Sequence, residues 1–357
     1  MTKTMNRAFG CVCGATLIFA AMVVQPYSAG GDIDPLITTI VEKQKAAHDR
    51  FTSYEYSASI TGFSLDDTDA KVKVDTKCAV TRKGDAFRMT LKHYPVMVFE
   101  NNAAPPRQEF RETHSVANGD YQAMWMNVEI PFVDIYYRKD WQTEEQQAQL
   151  GRLFSLGRNP NPFELAWTVS DGSNTVGDLL ANEQRFPVDT RPTWTVETVA
   201  GADGTSDYVL KRTSAHASRP DLIVTVDPDK DYVVTKSEFA PDGSEDEIGQ
   251  VSRTYEKVGE YWCLNRMEQT ESEVQGVVES ILCEFKIANI PSDAVDASFT
   301  VSGLGLPDIA LVNKFTQDGK NSRVSASFEY RKGELIPLDD LQRRRSFLIE
   351  LGIIPEP

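Results

Sequence analysis

Apolar residues recur at helical spacing near the start of the chain. Leu36, Ile37, Ile40, Val41, Ala47 and Phe51 share a face that Glu42, Lys43, Lys45 and Arg50 avoid. Asp34-Pro35 precedes them, a side-chain cap followed by proline at the first helical position, where its missing N–H costs nothing. An amphipathic helix is predicted there, with one face to bury. After Ser53 the period drops to two. Tyr54, Tyr56, Ala58 and Ile60 alternate with polar neighbours. Val72, Val74, Thr76, Cys78 and Val80 alternate with Lys71, Lys73, Asp75 and Lys77, and Phe87, Met89 and Leu91 with Arg88, Thr90 and Lys92. Residues 96–99 form a short apolar run, and segments 107–116 and 121–130 flank Asn118-Gly119, a strong hairpin signal.

The pattern turns helical at 140–186, with a helix predicted over 143–156 and shorter pieces over 162–169 and 175–180. Alternation then returns over 193–199, 207–213, 221–226, 232–239, 250–258, 260–270 and 276–287, separated by polar turns. Consecutive strands on tight turns must pair antiparallel, because a parallel pair needs a long crossover. One-sided alternation gives a sheet with one buried face and one wet face, and about ten such strands curl. The expected fold class is α+β: a large, strongly curved antiparallel sheet, a half-open barrel, packed around an N-terminal helix and inserted helices. The expected organisation is a leader over 1–30, a curved-sheet domain over 31–298 with a helical insertion at 140–186, and a C-terminal extension over 299–357 that docks on the sheet. Within that extension, 299–307 reads as an extended, Gly-broken segment, 324–330 as a strand and 338–351 as a helix.

Charge narrows the partners. The 357 residues include 37 Lys and Arg against 53 Asp and Glu, a formal net charge of −16. Such a surface repels phosphate, which argues against nucleic acid and against an anionic membrane surface. Two of the bases, Lys3 and Arg7, stand in the first thirty residues, where no acid occurs. Residues 8–24 are uncharged and mostly apolar, and Ser28-Ala29-Gly30-Gly31 supplies small residues. This is the three-part layout of a Sec-type signal peptide with cleavage near Ala29–Gly31. The expected location is periplasmic or secreted, not integral to the membrane once the leader is cleaved; the alternative is an uncleaved anchor, since the apolar run approaches spanning length.

Export leaves Cys78, Cys263 and Cys283 in an oxidising compartment. Folding 260–270 against 276–287 about residue 273 sets Cys263 opposite Cys283, so a cross-strand disulfide is one expectation and a pair of buried free thiols the other. Catalytic chemistry finds no constellation. His48, His93, His114 and His216 lack metal-ligand spacing, no G-x-S-x-G or S-x-x-K motif occurs, and Gly303-Leu304-Gly305 lacks the Lys-Ser/Thr of a phosphate loop. The acids of 227–231 fit positions 1, 3 and 5 of a calcium loop, but Tyr232 stands where the sharp turn needs Gly, so an acidic hairpin turn is the reading. Neither a metal nor a cofactor nor an enzymatic activity is expected. The apolar strand faces remain: Tyr54, Tyr56, Ile60, Phe87, Met89, Leu91, Met124, Trp125 and Met126 could line an interior or fill a core.

The order of elements resembles the lipoprotein-carrier superfamily of bacterial envelope proteins, the LolA/LolB/RseB-like type. The stretches that carry it are the opening helix leading into Phe51-Thr52-Ser53-Tyr54-Glu55-Tyr56-Ser57-Ala58, the step Val80-Thr81-Arg82-Lys83-Gly84-Asp85-Ala86-Phe87-Arg88, the hairpin around Asn118-Gly119, and the Asp-rich turns such as Val226-Asp227-Pro228 before Tyr232-Val233-Val234. Together they span roughly residues 32–290. The resemblance implies a half-open barrel over helices whose apolar interior holds lipid, an acyl chain or a lipoprotein, without catalysis. The alternative function is an envelope interaction or sensor module that uses the sheet as scaffold.

Overall fold

The computed structural model describes residues 34–65, 71–98, 107–126, 132–137, 161–169, 174–201, 204–215, 217, 220–240, 247–273, 276–318 and 321–355. The leader, the helix expected over 143–156 and His216 lie outside them. Helix α1 spans Pro35–His48, and the Asp34 carboxylate accepts the Leu36 N–H at 2.8 Å, the expected cap. Strands β1 (Ser53–Leu65), β2 (Lys71–Lys83), β3 (Ala86–Val98), β4 (Arg107–Ala117), β5 (Tyr121–Met126) and β6 (Phe132–Tyr137) follow. Next come α2 (Pro162–Leu165), α3 (Val176–Glu183), β7 (Thr193–Ala200), β8 (Ser206–Thr213), β9 (Leu222–Asp227) and β10 (Val233–Phe239). Strands β11 (Glu247–Val258), β12 (Tyr261–Glu273) and β13 (Gly276–Asn289) are followed by two 3₁₀ turns at Asp296–Phe299 and Val301–Leu304. The chain continues through β14 (Ile309–Asp318), β15 (Asn321–Arg331), β16 (Glu334–Pro337) and α4 (Leu341–Glu350).

All sixteen strands form one open sheet in the order β16-β15-β14-β6-β5-β4-β3-β2-β1-β13-β12-β11-β10-β9-β8-β7. Two meanders, β1–β6 and β7–β13, are joined by the antiparallel pairing of β1 with β13. The C-terminal strands lengthen the sheet beyond β6 through a parallel pairing of β14 with β6, the one pair among the described residues that is not antiparallel. The fold is α+β, with a large curved sheet that is not closed into a barrel. There are more strands than the roughly ten expected, because β6, β14 and β16 carry no long alternating run. The segment expected to be extended at 299–307 instead coils into the second 3₁₀ turn and ends at Gly305, whose φ of +70° a side chain would resist.

Apolar side chains are buried on both faces of this sheet, at different places. On the inner face, Ile37 and Ile40 of α1 pack with Val176 and Leu180 of α3 over Leu210, Val224, Val226 and Val234. Each fully buried Ile contributes about 1.5–3 kcal/mol. Further along the same face, Ala47, Phe51, the α2 residues Phe163 and Leu165, and Trp167 just beyond α2 pack on β1–β3 and β11–β13. On the outer face, Val301 and Leu304 of the 3₁₀ turn cover Val116, Ala123, Val133, Ile135, Ala310 and Val312. That cover is tied down by polar contacts: the Asn118 side-chain amide donates to the Phe299 carbonyl at 3.1 Å, and the Val301 N–H to the Tyr121 hydroxyl oxygen at 3.1 Å.

Candidate functional site on the inner face

Register decides which side chains meet across a sheet, because paired residues point to the same side. Following the pairings outward from β1 traces one row on the inner face. Tyr56 lies opposite Val80, Val80 opposite Met89, Met89 opposite Ser115, and Ser115 opposite Met124. Met124 lies opposite Asp134, Asp134 opposite Asn313 across the parallel joint, and Asn313 opposite Ser327. The row is apolar over β1–β3, mixed at β4 and β5, and polar from β6 to β15. At about 4.8 Å per strand it runs roughly 34 Å.

The apolar end is packed. Phe163 stands 4.1 Å from the Tyr54 ring centroid and 6.0 Å from that of Tyr56, and Phe51 lies 4.7 Å from Phe163. Helix α2 is held there by its last turn: the Ala166 carbonyl accepts the Val234 N–H at 2.8 Å and the Tyr255 hydroxyl at 3.1 Å. Burial holds the Tyr56 phenol far above its ordinary range. Tyr54, Tyr56, Ile60, Met89 and Leu91 are buried in this cluster and Phe87 packs at its margin, so six of the expected lining residues share one face. Met124 is buried on the same face but belongs to none of the three apolar clusters.

Trp125 is a correction. Alternation puts it on the outer face, where it stacks on His114 at 4.7 Å and packs against the outer core. Met126 returns to the inner register, but its side chain lies outside the described residues. The expected disulfide is a second correction. Strands β12 and β13 pair Met267 with Cys283, because Glu273 pairs with Gly276 and the fold axis falls beyond residue 273. That displacement sets Cys283 four residues from Cys263, and Cys78, Cys263 and Cys283 are buried and not joined in a disulfide. Burial pushes Cys78 and Cys263 up to about 12.

The polar end was not anticipated. Ser115 is fully buried, and its Oγ has no hydrogen-bond partner among the described residues; the same holds for the buried Oε1 of Gln122 on the neighbouring row. The Asn313 side chain bonds the Asp134 carboxylate and accepts the Ser327 hydroxyl at 3.1 Å. Burial lifts the Asp134 carboxyl to about 6, against the opposing effect of Asn313. Tyr136, stacked on Phe315 at 5.1 Å, is raised to about 12 by burial and by Asp134 beside it. In the sequence Asp134 looks like a wet-face residue between Val133 and Ile135. Its pairing with Met124 sets it on the inner face, and the parallel joint, which no local pattern announces, puts Asn313 beside it.

Other places suited to chemistry are occupied by structure. Among the described residues no three His, Cys, Asp or Glu side chains gather as a metal site. Asp227 caps its own turn, accepting the N–H groups of Asp229 and Lys230, and Asp231 pairs with Arg50 at 2.8 Å. His114 bridges Thr90 and Glu112, and burial lowers its pKa. A groove of about 310 Å³ lies on the outer face between Glu55, Ser57, Ala79, Thr81, Arg88 and Thr90. Its walls are short and largely polar, and Glu55 is engaged by the Ser292 hydroxyl at 2.5 Å. No helix of the described residues is long and apolar enough to cross a membrane.

No family model matches the chain, and no curated protein matches it. Solved structures do. A DUF1329 family protein from Desulfovibrio piger aligns at 13% identity over 75% of this chain and 98% of that one, with a TM-score of 0.34. A putative outer membrane lipoprotein-sorting protein domain from Vibrio parahaemolyticus aligns at 11% identity over 74% and 97%, with a TM-score of 0.32. A LolA superfamily protein from Nitrosomonas europaea aligns at 15% identity over 75% and 99%, with a TM-score of 0.32. These proteins are similar to this chain in the arrangement of the backbone.

Proposed function

We propose that this protein binds an apolar chain, a lipid or the acyl group of a lipoprotein, on the inner face of its open sheet and holds it by desolvation, without making or breaking bonds. The observation that carries this reading is the inner-face row, apolar at Tyr56, Val80 and Met89 and again at Met124 beyond Ser115, in a sheet that does not close. Met89 and Met124 suit chains of varied shape because the thioether side chain is flexible and polarizable. Apolar walls with a few placed polar groups are the usual make-up of a small-ligand site. The leader-like residues 1–31 support work in the periplasm or outside the cell. Native mass spectrometry and lipid extraction on protein purified from its own envelope under mild conditions test the reading. A co-purifying apolar molecule is the expected result; a ligand-free protein that also fails to take up added lipid contradicts it.

An envelope interaction or sensor module is the second reading. Phe186 and Val188 are exposed apolar residues just ahead of the edge strand β7, where a partner could pair. A pull-down from envelope extract that depends on Phe186 and Val188 would favour it.

A further inference from the structure

We propose that the ligand is an amphiphile whose head group donates hydrogen bonds, seated at Ser115, Gln122 and Asp134, with its apolar chain running along the row past Met124 toward Met89. This rests on the apolar-chain reading and names the chemistry of the other end of the same ligand. The first support is the row itself, which changes from apolar to polar within a few strands on one face. The second is the pair of orphaned atoms at that change. Buried polar atoms nearly always have partners, yet Ser115 Oγ and Gln122 Oε1 have none among the described residues.

The inventory of groups selects the head. Gln122 Oε1 only accepts, the Asp134 carboxylate accepts when ionised, and the Ser115 hydroxyl does either. The Asn313 amide is already committed, to Asp134 on one side and Ser327 on the other. A head that meets these atoms must supply N–H or O–H. The row itself holds no Lys, Arg or His to meet an anionic head. Arg82, on the neighbouring row, is bonded to the Gly84 carbonyl and the Tyr54 hydroxyl. Arg331 and Arg343 bond Glu329, and Arg331 also bonds Glu350. Lys314 points the other way, over the Tyr137 ring at 4.6 Å. A carboxylate or phosphate head would therefore meet Asp134 with no cation on the row to offset it among the described residues. A hydroxyl or ammonium head gains a bond to a charged acceptor, which is worth about tenfold in affinity.

The test uses the full chain and four probes of one tail length: monolauroylglycerol, dodecylammonium, dodecanoate and dodecyl phosphate. Each is titrated calorimetrically below its micelle concentration in mildly alkaline buffer. The hydroxyl and ammonium heads are expected to bind about tenfold tighter than the two anions. Asp134→Asn and Ser115→Ala are expected to erase that preference while uptake of the tail persists. Asp134→Asn changes no side-chain volume to speak of, so it serves alone if the double variant does not fold. Equal affinity for all four heads, or a preference that survives both substitutions, overturns the head-group assignment and leaves the apolar-chain reading standing. Failure of every probe to bind overturns both.

Discussion

Asp134 shows how much a single residue depends on what the sheet puts beside it. Its carboxyl titrates at about 6 instead of the ordinary 3.8, chiefly because burial disfavours the charge. The folded state therefore holds this proton more tightly than the unfolded chain does. The sign follows: the favourable contribution is complete below pH 3.8 and is lost as pH rises through about 6. Asp134→Asn is expected to match the parent in melting temperature near pH 4. It should exceed the parent above pH 7, by an amount on the order of 1 kcal/mol after allowance for the partial exposure of the group. An equal gain at both pH values would contradict the burial of the charge. The cysteines give a second residue-level expectation. Cys78, Cys263 and Cys283 should resist alkylation in the native protein and react once it is denatured, without reductant. A mass showing two of them linked would revive the disulfide. Most of the inner-face residues over β1–β3 were legible from alternation alone. Trp125 was misplaced only because consecutive residues of a strand cannot share a face.

At the scale of elements, the sequence was most readable where signals are local. The Asp34-Pro35 cap and the long alternating runs of β1, β2, β12 and β13 announce themselves. The pairing of β6 with β14 does not, because it is parallel and joins strands far apart in the chain. Two elements make testable claims. Helix α2 is short, and its place depends on Phe163, which is packed between Phe51, Tyr54 and Tyr56. Phe163→Ala is expected to cost about 3–5 kcal/mol in denaturant unfolding; a loss below about 1 kcal/mol would show that α2 does not fill this part of the inner face. Asn118 has two tasks. Its Oδ1 accepts the N–H groups of Asp120 and Tyr121 to shape the β4–β5 turn, and its amide reaches Phe299. Asn118→Ala should cost about 1–3 kcal/mol and speed hydrogen exchange at residues 296–304 more than in β7–β10. Uniform exchange in both regions would mean that the turn and the outer cover are not coupled through this side chain.

The whole molecule is one sheet with two buried faces. Over β1–β3 and β7–β13 the inner face carries the core under α1, α2 and α3, and the outer face is wet, with Glu268, Glu284 and Lys286 exposed. Beyond β3 the outer face is covered instead, by the turns that precede β14, and the row on the inner face becomes polar. This exchange of faces is what sets an apolar stretch beside Ser115, Gln122 and Asp134. A reading from alternation alone expects one dry side throughout, so it finds the first half of the site and not the second. The central claim is that an apolar chain lies along the inner row. The most direct measurement is photolabelling of the full chain with a fatty alcohol carrying a diazirine in its tail, followed by peptide mapping. Stoichiometric label on Met89 and Met124 is the predicted result. Label confined to Ser57, Thr81 and Thr90 of the outer groove, or no stoichiometric label at all, would contradict it.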